Sequence, residues 1–348
     1  MTIMLPIAVD AMGGDYGPSV VVPAVLDALK KYPELCIHLY GDEAKVTPVL
    51  NSFSKKKPCD KARLFFHHTD EVVEMDDPPA LAMRNKKRSS MRLAINSVKE
   101  KTALACVSAG NTGALMATAR FVLKTLPMID RPALIYSIPV LTLSSAQQVH
   151  MLDLGANVDC TGDNLFQFAV MGNEFAKVRS GISTPRVALL NVGSEDIKGS
   201  DSVKQCALRL EGSSMNYTGY VEGNQLYSGC CDVIVCDGFV GNVALKVTEG
   251  VSKSIMGLTK ASFMSSLYGR TIGMLAKPVL SRLRKKFNPD NYNGASLLGL
   301  NGVVIKSHGH ASQAGFLMAI EQARIEAQHQ LPSMIRQSIQ DTLSDKDL

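Results

Sequence analysis

One unit recurs along most of the chain: a short apolar run, a loop of small residues, then a stretch with helical spacing. "IHLYGDEAKVTPVL", "ALACVSAGNTGALMATARFVL", "VHMLDLGANVDCTGDNLFQFAVMG", "RVALLNVGSEDIKGSDSVKQCALRL", "CDVIVCDGFVGNVALKVTEG" and "GVVIKSHGHASQAGFLMAIEQA" follow in that order. Continuous apolar runs suit strands buried on both faces. Strand followed by helix predicts parallel pairing through right-handed crossovers, hence a three-layer α/β/α fold with a largely parallel sheet. In such sheets the loops at the carboxyl ends of the strands line the ligand crevice. The glycine- and asparagine-bearing loops are therefore expected together on one edge, as one site.

At 348 residues, a single α/β domain spanning 1–348, or two lobes of it around a cleft, is expected. Two stretches break the rhythm. "RNKKRSSMRLAINSVKE" crowds Arg84, Lys86, Lys87, Arg88 and Arg92 around a helix. A helical protrusion over about 251–290, interrupted near Pro278, ends in Arg282, Arg284, Lys285 and Lys286. The net charge of +5 demands no nucleic acid but is compatible with an acidic partner. The eight cysteines form no disulfide framework, and no secretory leader opens the chain, which favours reduced thiols in the cytosol. No apolar run reaches the roughly 18 residues that a membrane span needs.

The chain opens on "IAVDAMGGDYGP", an apolar strand running into Gly13, Gly14 and Gly17, with Asp10 and Asp15 flanking them. Bare backbone there implies close approach to something. No G-x-G-x-x-G fingerprint and no Walker lysine is present, so a bound dinucleotide or nucleotide is not expected. Phosphate binding fits better. "SAGNTG" sets Ser108, Asn111 and Thr112 where a strand meets a helix N-terminus, and "DGFVGN" does the same with Asn242. Free N–H groups and the helix dipole stabilise an anion at such a place. Helix capping accounts for any one loop alone, but less readily for the whole set. Cys106 and Cys236 lie in apolar strands and Cys160 in a loop, where structural thiols are the ordinary reading. No G-x-S-x-G elbow and no metal-ligand spacing occurs, although Asp153 and Asp237 could hold a cation if they converge.

"IAVDAMGGDYGP", "SAGNTGALMA", "LDLGANVDC", "LLNVGSEDIKG", "DVIVCDGFVGNVALKVTEG" and "GASLLGLNGVVIKSHG" resemble, in order, the signature blocks of the PlsX-type acyl-(acyl carrier protein):phosphate acyltransferases. The resemblance runs from Ile7 to about Ala319 and departs at Asn293, where a second glycine is expected, and at Pro23, early in a helix. It implies that acyl-ACP and inorganic phosphate give acyl phosphate and free ACP for phospholipid synthesis, without cofactor or metal. It also implies a fold like the isocitrate and isopropylmalate dehydrogenases and the phosphotransacetylases, as a homodimer in the cytoplasm.

On that footing the phosphate and substrate site is expected from Gly13, Gly14, Ser108, Asn111, Thr112, Asn157, Glu195, Asp237 and Gly238. Lys198, oriented by Glu195, is the choice for neutralising phosphate, against the alternative of a surface ion pair. Asn242 and His308 complete the catalytic set, His308 as proton donor to the leaving thiol. Phosphate attacks the thioester directly, which dispenses with a cysteine or serine nucleophile. The Arg84, Lys86, Lys87, Arg88 and Arg92 cluster is expected to guide the acidic carrier, and a solvated helix face is the alternative. In the protrusion, Ile272, Leu275, Val279 and Leu283 recur at helical spacing, suiting a dimer interface and peripheral contact with anionic lipid. A phosphotransacetylase-like enzyme using acyl-CoA and a non-catalytic membrane-associated scaffold are the competing readings.

Overall fold

Each of those apolar runs forms a strand and each small-residue loop delivers a helix. The structure, a computed structural model, describes residues 4–54, 61–141, 147–286 and 288–344. β1 (Leu5–Asp10) leads into α1 (Pro18–Lys31), and β2 (Leu35–Gly41) into α2 (Glu43–Ser54). β3 (Leu64–His68) is followed by α3 (Pro79–Asn85) and α4 (Ser90–Lys99), and β4 (Ala105–Ser108) by α5 (Thr112–Leu123). β5 (Ala133–Pro139) and β6 (Gln148–Leu152) precede α6 (Gly162–Ser180), and β7 (Val187–Leu190) precedes α7 (Asp201–Glu211). β8 (Tyr217–Val221) and β9 (Val233–Val235) lead to α8 (Gly238–Met264) and α9 (Leu267–Lys286). β10 (Ala295–Leu298), β11 (Val303–Lys306), α10 (Gln313–Gln328) and α11 (Leu331–Ser344) close the described chain.

The eleven strands among the described residues join one sheet in the order β3-β2-β1-β4-β11-β10-β5-β6-β9-β7-β8. Pairing is parallel from β3 to β11 and again from β6 to β8. Between them, β10 is antiparallel to both β11 and β5, and β5 is antiparallel to β6. Three antiparallel pairings reverse the strand direction, so the two parallel blocks run oppositely. This corrects the expectation of a single loop-bearing edge. The loops after β1, β4 and β11 leave at one edge, and those after β6, β7 and β9 leave at the other.

Helices cover the sheet on both sides. α1 and α10 pack with Ile7, Val9, Ile37 and Ile305 on one face of the first block, and α4 and α5 pack with Ala8, Cys106 and Val304 on the other. α6 and α11 cover the second block around Phe166, Phe168 and Phe175. Pro23 is buried inside an unbroken α1, in its second turn, where the missing N–H removes a single ladder bond. α9 also runs through Pro278, and the break comes instead at Ser265–Ser266. α8 and α9 lie against each other but expose much apolar surface, including Val247, Val251, Leu258, Leu267, Leu275 and Val279. The side chains of Arg282, Leu283, Arg284, Lys285 and Lys286 lie outside the described residues. Among the described residues no helix is long and apolar enough to cross a membrane.

Candidate active site

Three adjacent strands of the first block end in a polar row on one face. Ala8 pairs with Cys106 and Cys106 with Val304, so two residues further on Asp10, Ser108 and Lys306 stand side by side. All three are buried. The Ser108 hydroxyl donates to Asp10 Oδ2 (2.7 Å) and accepts from the Gly110 N–H (3.0 Å). Asp10 also receives the Met12 N–H (3.1 Å), the Gly13 N–H and the Ser90 hydroxyl. Burial raises its pKa, and these donors oppose the rise.

This row explains the opening glycines. A Cβ on Gly13 would stand 2.5 Å from the Gly110 nitrogen and 2.7 Å from Asp10 Oδ2. Gly14 adopts a positive φ of 86°, and its Cβ would meet Ala109 Cβ at 2.9 Å. The first loop thus lies directly on the β4–α5 loop, and what the bare backbone approaches is this neighbouring loop. Asn111 caps α5 by accepting from the Ala114 N–H (3.0 Å) and donates to the Met75 and Asp77 carbonyls. Ser108 and Asn111 therefore hold loop geometry, while Thr112 at the start of α5 is exposed.

The β11–α10 loop closes over the same place. Lys306 Nζ donates to the Ala109 carbonyl (3.2 Å) and to the Ser307 carbonyl. Asn293, standing where the family pattern suggested glycine, donates to Ser307 Oγ and accepts the His308 N–H, both at 2.8 Å. His308 is exposed at the rim of a small depression lined by Gly13, Tyr16, Val20, Ala109 and Phe316. Its Nδ1 faces the His310 N–H at 3.4 Å, which places the proton of the neutral ring on Nε2. Desolvation lowers its pKa, Glu249 opposes that, and Lys306 and Lys246 reinforce it. Lys246 and Glu249 belong to α8, so this helix reaches from the second block to the His308 rim.

On the other edge, Asp153 gathers the Leu134, Ala156 and Asn157 N–H groups and the Asn157 side-chain amide within 3.1 Å. The Asn157 carbonyl accepts the Gly238 N–H (2.7 Å), and Asp237 caps α8 through the Val240 N–H (2.8 Å). A Cβ on Gly238 would lie 2.6 Å from the Asn157 carbonyl. Asp153 and Asp237 are thus engaged by N–H donors, and no group of three metal-ligating side chains occurs among the described residues. Asn242, in the first turns of α8, is exposed beside Gly155. Lys198 pairs with Glu195 at 2.8 Å, both exposed, on the β7–α7 loop. No hydrogen bond or ion pair among the described residues joins Lys198 or Asn242 to the Asp10–Ser108–Lys306 row.

In the basic segment Lys86 binds Asp77 (2.5 Å) and the Val72 carbonyl (2.8 Å), and Arg92 binds Asn96 and stacks on Phe121. Arg84, Lys87 and Arg88 remain exposed. They lie at and just after the end of α3, whose head packs on α5, since a Cβ on Gly113 would lie 2.7 Å from Pro79. Cys106 and Cys236 are buried with their thiol pKa values pushed far up, and burial lifts Cys160 to about 11. Such thiols stay protonated at neutral pH and are poor nucleophiles. Lys306 and Asn293, which join this cluster, are not among the expected site residues. A lysine closing an apolar strand was the one available signal.

Residues 5–334 match the family described as "Fatty acid synthesis protein". The chain is 51% identical over 347 residues to a phosphate acyltransferase of Alkalilimnicola ehrlichii, covering 100% of this chain and 99% of that one. It is 50% identical to a phosphate acyltransferase of Methylococcus capsulatus, covering 99% and 100%. Among solved structures, a phosphotransacetylase from Streptococcus pyogenes superposes with a TM-score of 0.62 at 17% identity over 94% of each chain. One from Staphylococcus aureus gives 0.56 at 15% identity, over 93% of this chain and 94% of that one. At those identities the likeness is one of fold.

Proposed function

The chain belongs to the PlsX-type phosphate acyltransferase family, and we propose that it takes a fatty acyl group from the thioester of an acidic acyl carrier protein. A hydrogen phosphate oxygen attacks the thioester carbonyl, the C–S bond breaks, and the leaving thiolate takes up the proton that the phosphate gives up. Acyl phosphate and free carrier result. Phosphate sits over the N-terminus of α5, near Thr112, where unpaired N–H groups and the dipole favour an anion. Lys198, on the β7–α7 loop, and Asn242, in the first turns of α8, lie at the opposite edge of the sheet, and a role for them at this phosphate requires the two edges to approach as the substrate binds. His308, neutral at physiological pH, donates Nε2–H to the developing oxyanion or to phosphate. That role suits its lowered pKa better than proton donation to the thiol.

The observation that carries the carrier-protein reading is the exposed trio Arg84, Lys87 and Arg88 at and just after the end of α3, the helix whose head packs on α5. Complementary potential there would steer an acidic partner towards the site. The exposed apolar faces of α8 and α9 support a homodimer, with weak contact between the tip and anionic lipid, where a fatty product is consumed. The fold likeness to phosphotransacetylases keeps acyl-CoA as a second donor reading. Purified enzyme given phosphate and either matched acyl-ACP or acyl-CoA, with hydroxylamine trapping the product, separates them. Faster hydroxamate formation from acyl-ACP is expected. Equal or faster formation from acyl-CoA overturns the donor assignment, and none from either overturns the transfer itself.

A further inference from the structure

Lys306 is a cation in an unusual place. Its side chain is 8% exposed, and no carboxylate among the described residues lies within ion-pair distance of Nζ. Burying an ammonium is costly unless an opposite charge compensates it. Here the hydrogen bonds go to two carbonyls, of Ala109 and Ser307, one from each of the loops that open α5 and α10. Asp10, on the same row but one strand further away, is shared among hydroxyl and N–H donors and acts on Lys306 only through space. A counter-charge is therefore missing at the point where these two loops meet.

We propose that Lys306 is the buried counter-charge for bound phosphate, its ammonium completing its electrostatic balance only when the anion occupies the α5 loop. This rests on the placement of phosphate at that loop given above. The groups facing Lys306 are Asp10 on β1, Cys106 and Ser108 on β4, and His308 beyond its own strand. Burial lowers the Lys306 pKa to about 8, against the pull of Asp10. Cys106 stays protonated well above that pH, and Lys198, its pKa raised by Glu195, keeps its charge. His308 discharges below neutrality. Lys306 is thus the group of this site whose charge changes just above physiological pH.

Calorimetric titration of the free enzyme with inorganic phosphate, from about pH 7 to about pH 9.5, tests this without any acyl donor. Wild-type affinity is expected to fall once the pH passes about 8, approaching tenfold per pH unit for one linked proton. Lys306→Met should bind at least about tenfold more weakly at pH 7 and show no such step. A flat wild-type profile, or a Lys306→Met variant with wild-type affinity, overturns the assignment. Should the variant fail to fold, the wild-type profile alone decides. An enzyme that forms acyl phosphate from acyl-ACP yet shows the flat profile refutes only the role of Lys306. One that binds phosphate with the step yet forms no acyl phosphate refutes only the proposed function.

Discussion

Replacing Gly13 by alanine probes the contact on which the first two loops depend. The new Cβ would stand 2.5 Å from the Gly110 nitrogen and 3.0 Å from its Cα, both backbone atoms that no rotamer change can move aside. Ordinary contact begins at 3.4 Å, so one loop must retreat by 3.4 − 2.5, about 0.9 Å. A displacement of roughly 1 Å in a positioning element costs on the order of 100-fold in rate. Overpacking of this kind destabilises by about 1–3 kcal/mol, which a protein of this size survives. Acyl phosphate formation measured by hydroxamate trapping should therefore drop about 100-fold in kcat/KM, with thermal unfolding still cooperative. Gly212→Ala is the control, because its Cβ meets nothing nearer than 3.7 Å. Wild-type kcat/KM in a folded Gly13→Ala enzyme would refute the argument that loop contact positions the site.

Lys198→Ala should raise the phosphate KM by about tenfold or more with little change in stability, since its partner pair is exposed. An unchanged KM removes Lys198 from the site. Reversal of charge at Lys87 and Arg88 should raise the KM for acyl-ACP several-fold and leave kcat alone, and added salt should erase the difference. A second-block histidine supplies a pH test of stability. His150 is held by Ser137 (2.9 Å) and Ser180 (2.7 Å), and burial drives its pKa down to about 3. Below about pH 6.5 the unfolded chain binds a proton that the folded one refuses, so stability falls as pH drops. At pH 5 the loss is about 2 kcal/mol, and His150→Gln should remove that part of the slope in urea titrations.

The strand–loop–helix units were legible because each carries its own signals. An apolar run, a small-residue loop and a cap such as Asn111 or Asp237 are all local. The reversal of the sheet was not read, although Asn301-Gly302 between β10 and β11 is a hairpin signal. β5 and β10 look like any other buried strand, and direction is decided by which neighbour they pair with. At the site, Gly13, Gly14 and Ser108 are legible by type, while the loop-to-loop contacts of the glycines and the Ser108–Asp10 bond are not. Lys86 and Arg92 illustrate the same limit: sequence shows their charge but not that Asp77 and Phe121 already engage them. The burial of Lys306 is not legible because it depends on the loop around Ala109, distant in sequence, folding onto its own.

The central claim is that phosphate itself attacks the thioester, with no acyl group ever carried by the enzyme. Rapid-quench mass spectrometry of the intact protein, mixed with acyl-ACP first without and then with phosphate, tests it most directly. The account predicts an unmodified enzyme mass at every time point, and acyl phosphate in the first turnover once phosphate is present. An enzyme species heavier by one acyl group, formed without phosphate and consumed when phosphate is added, would contradict it.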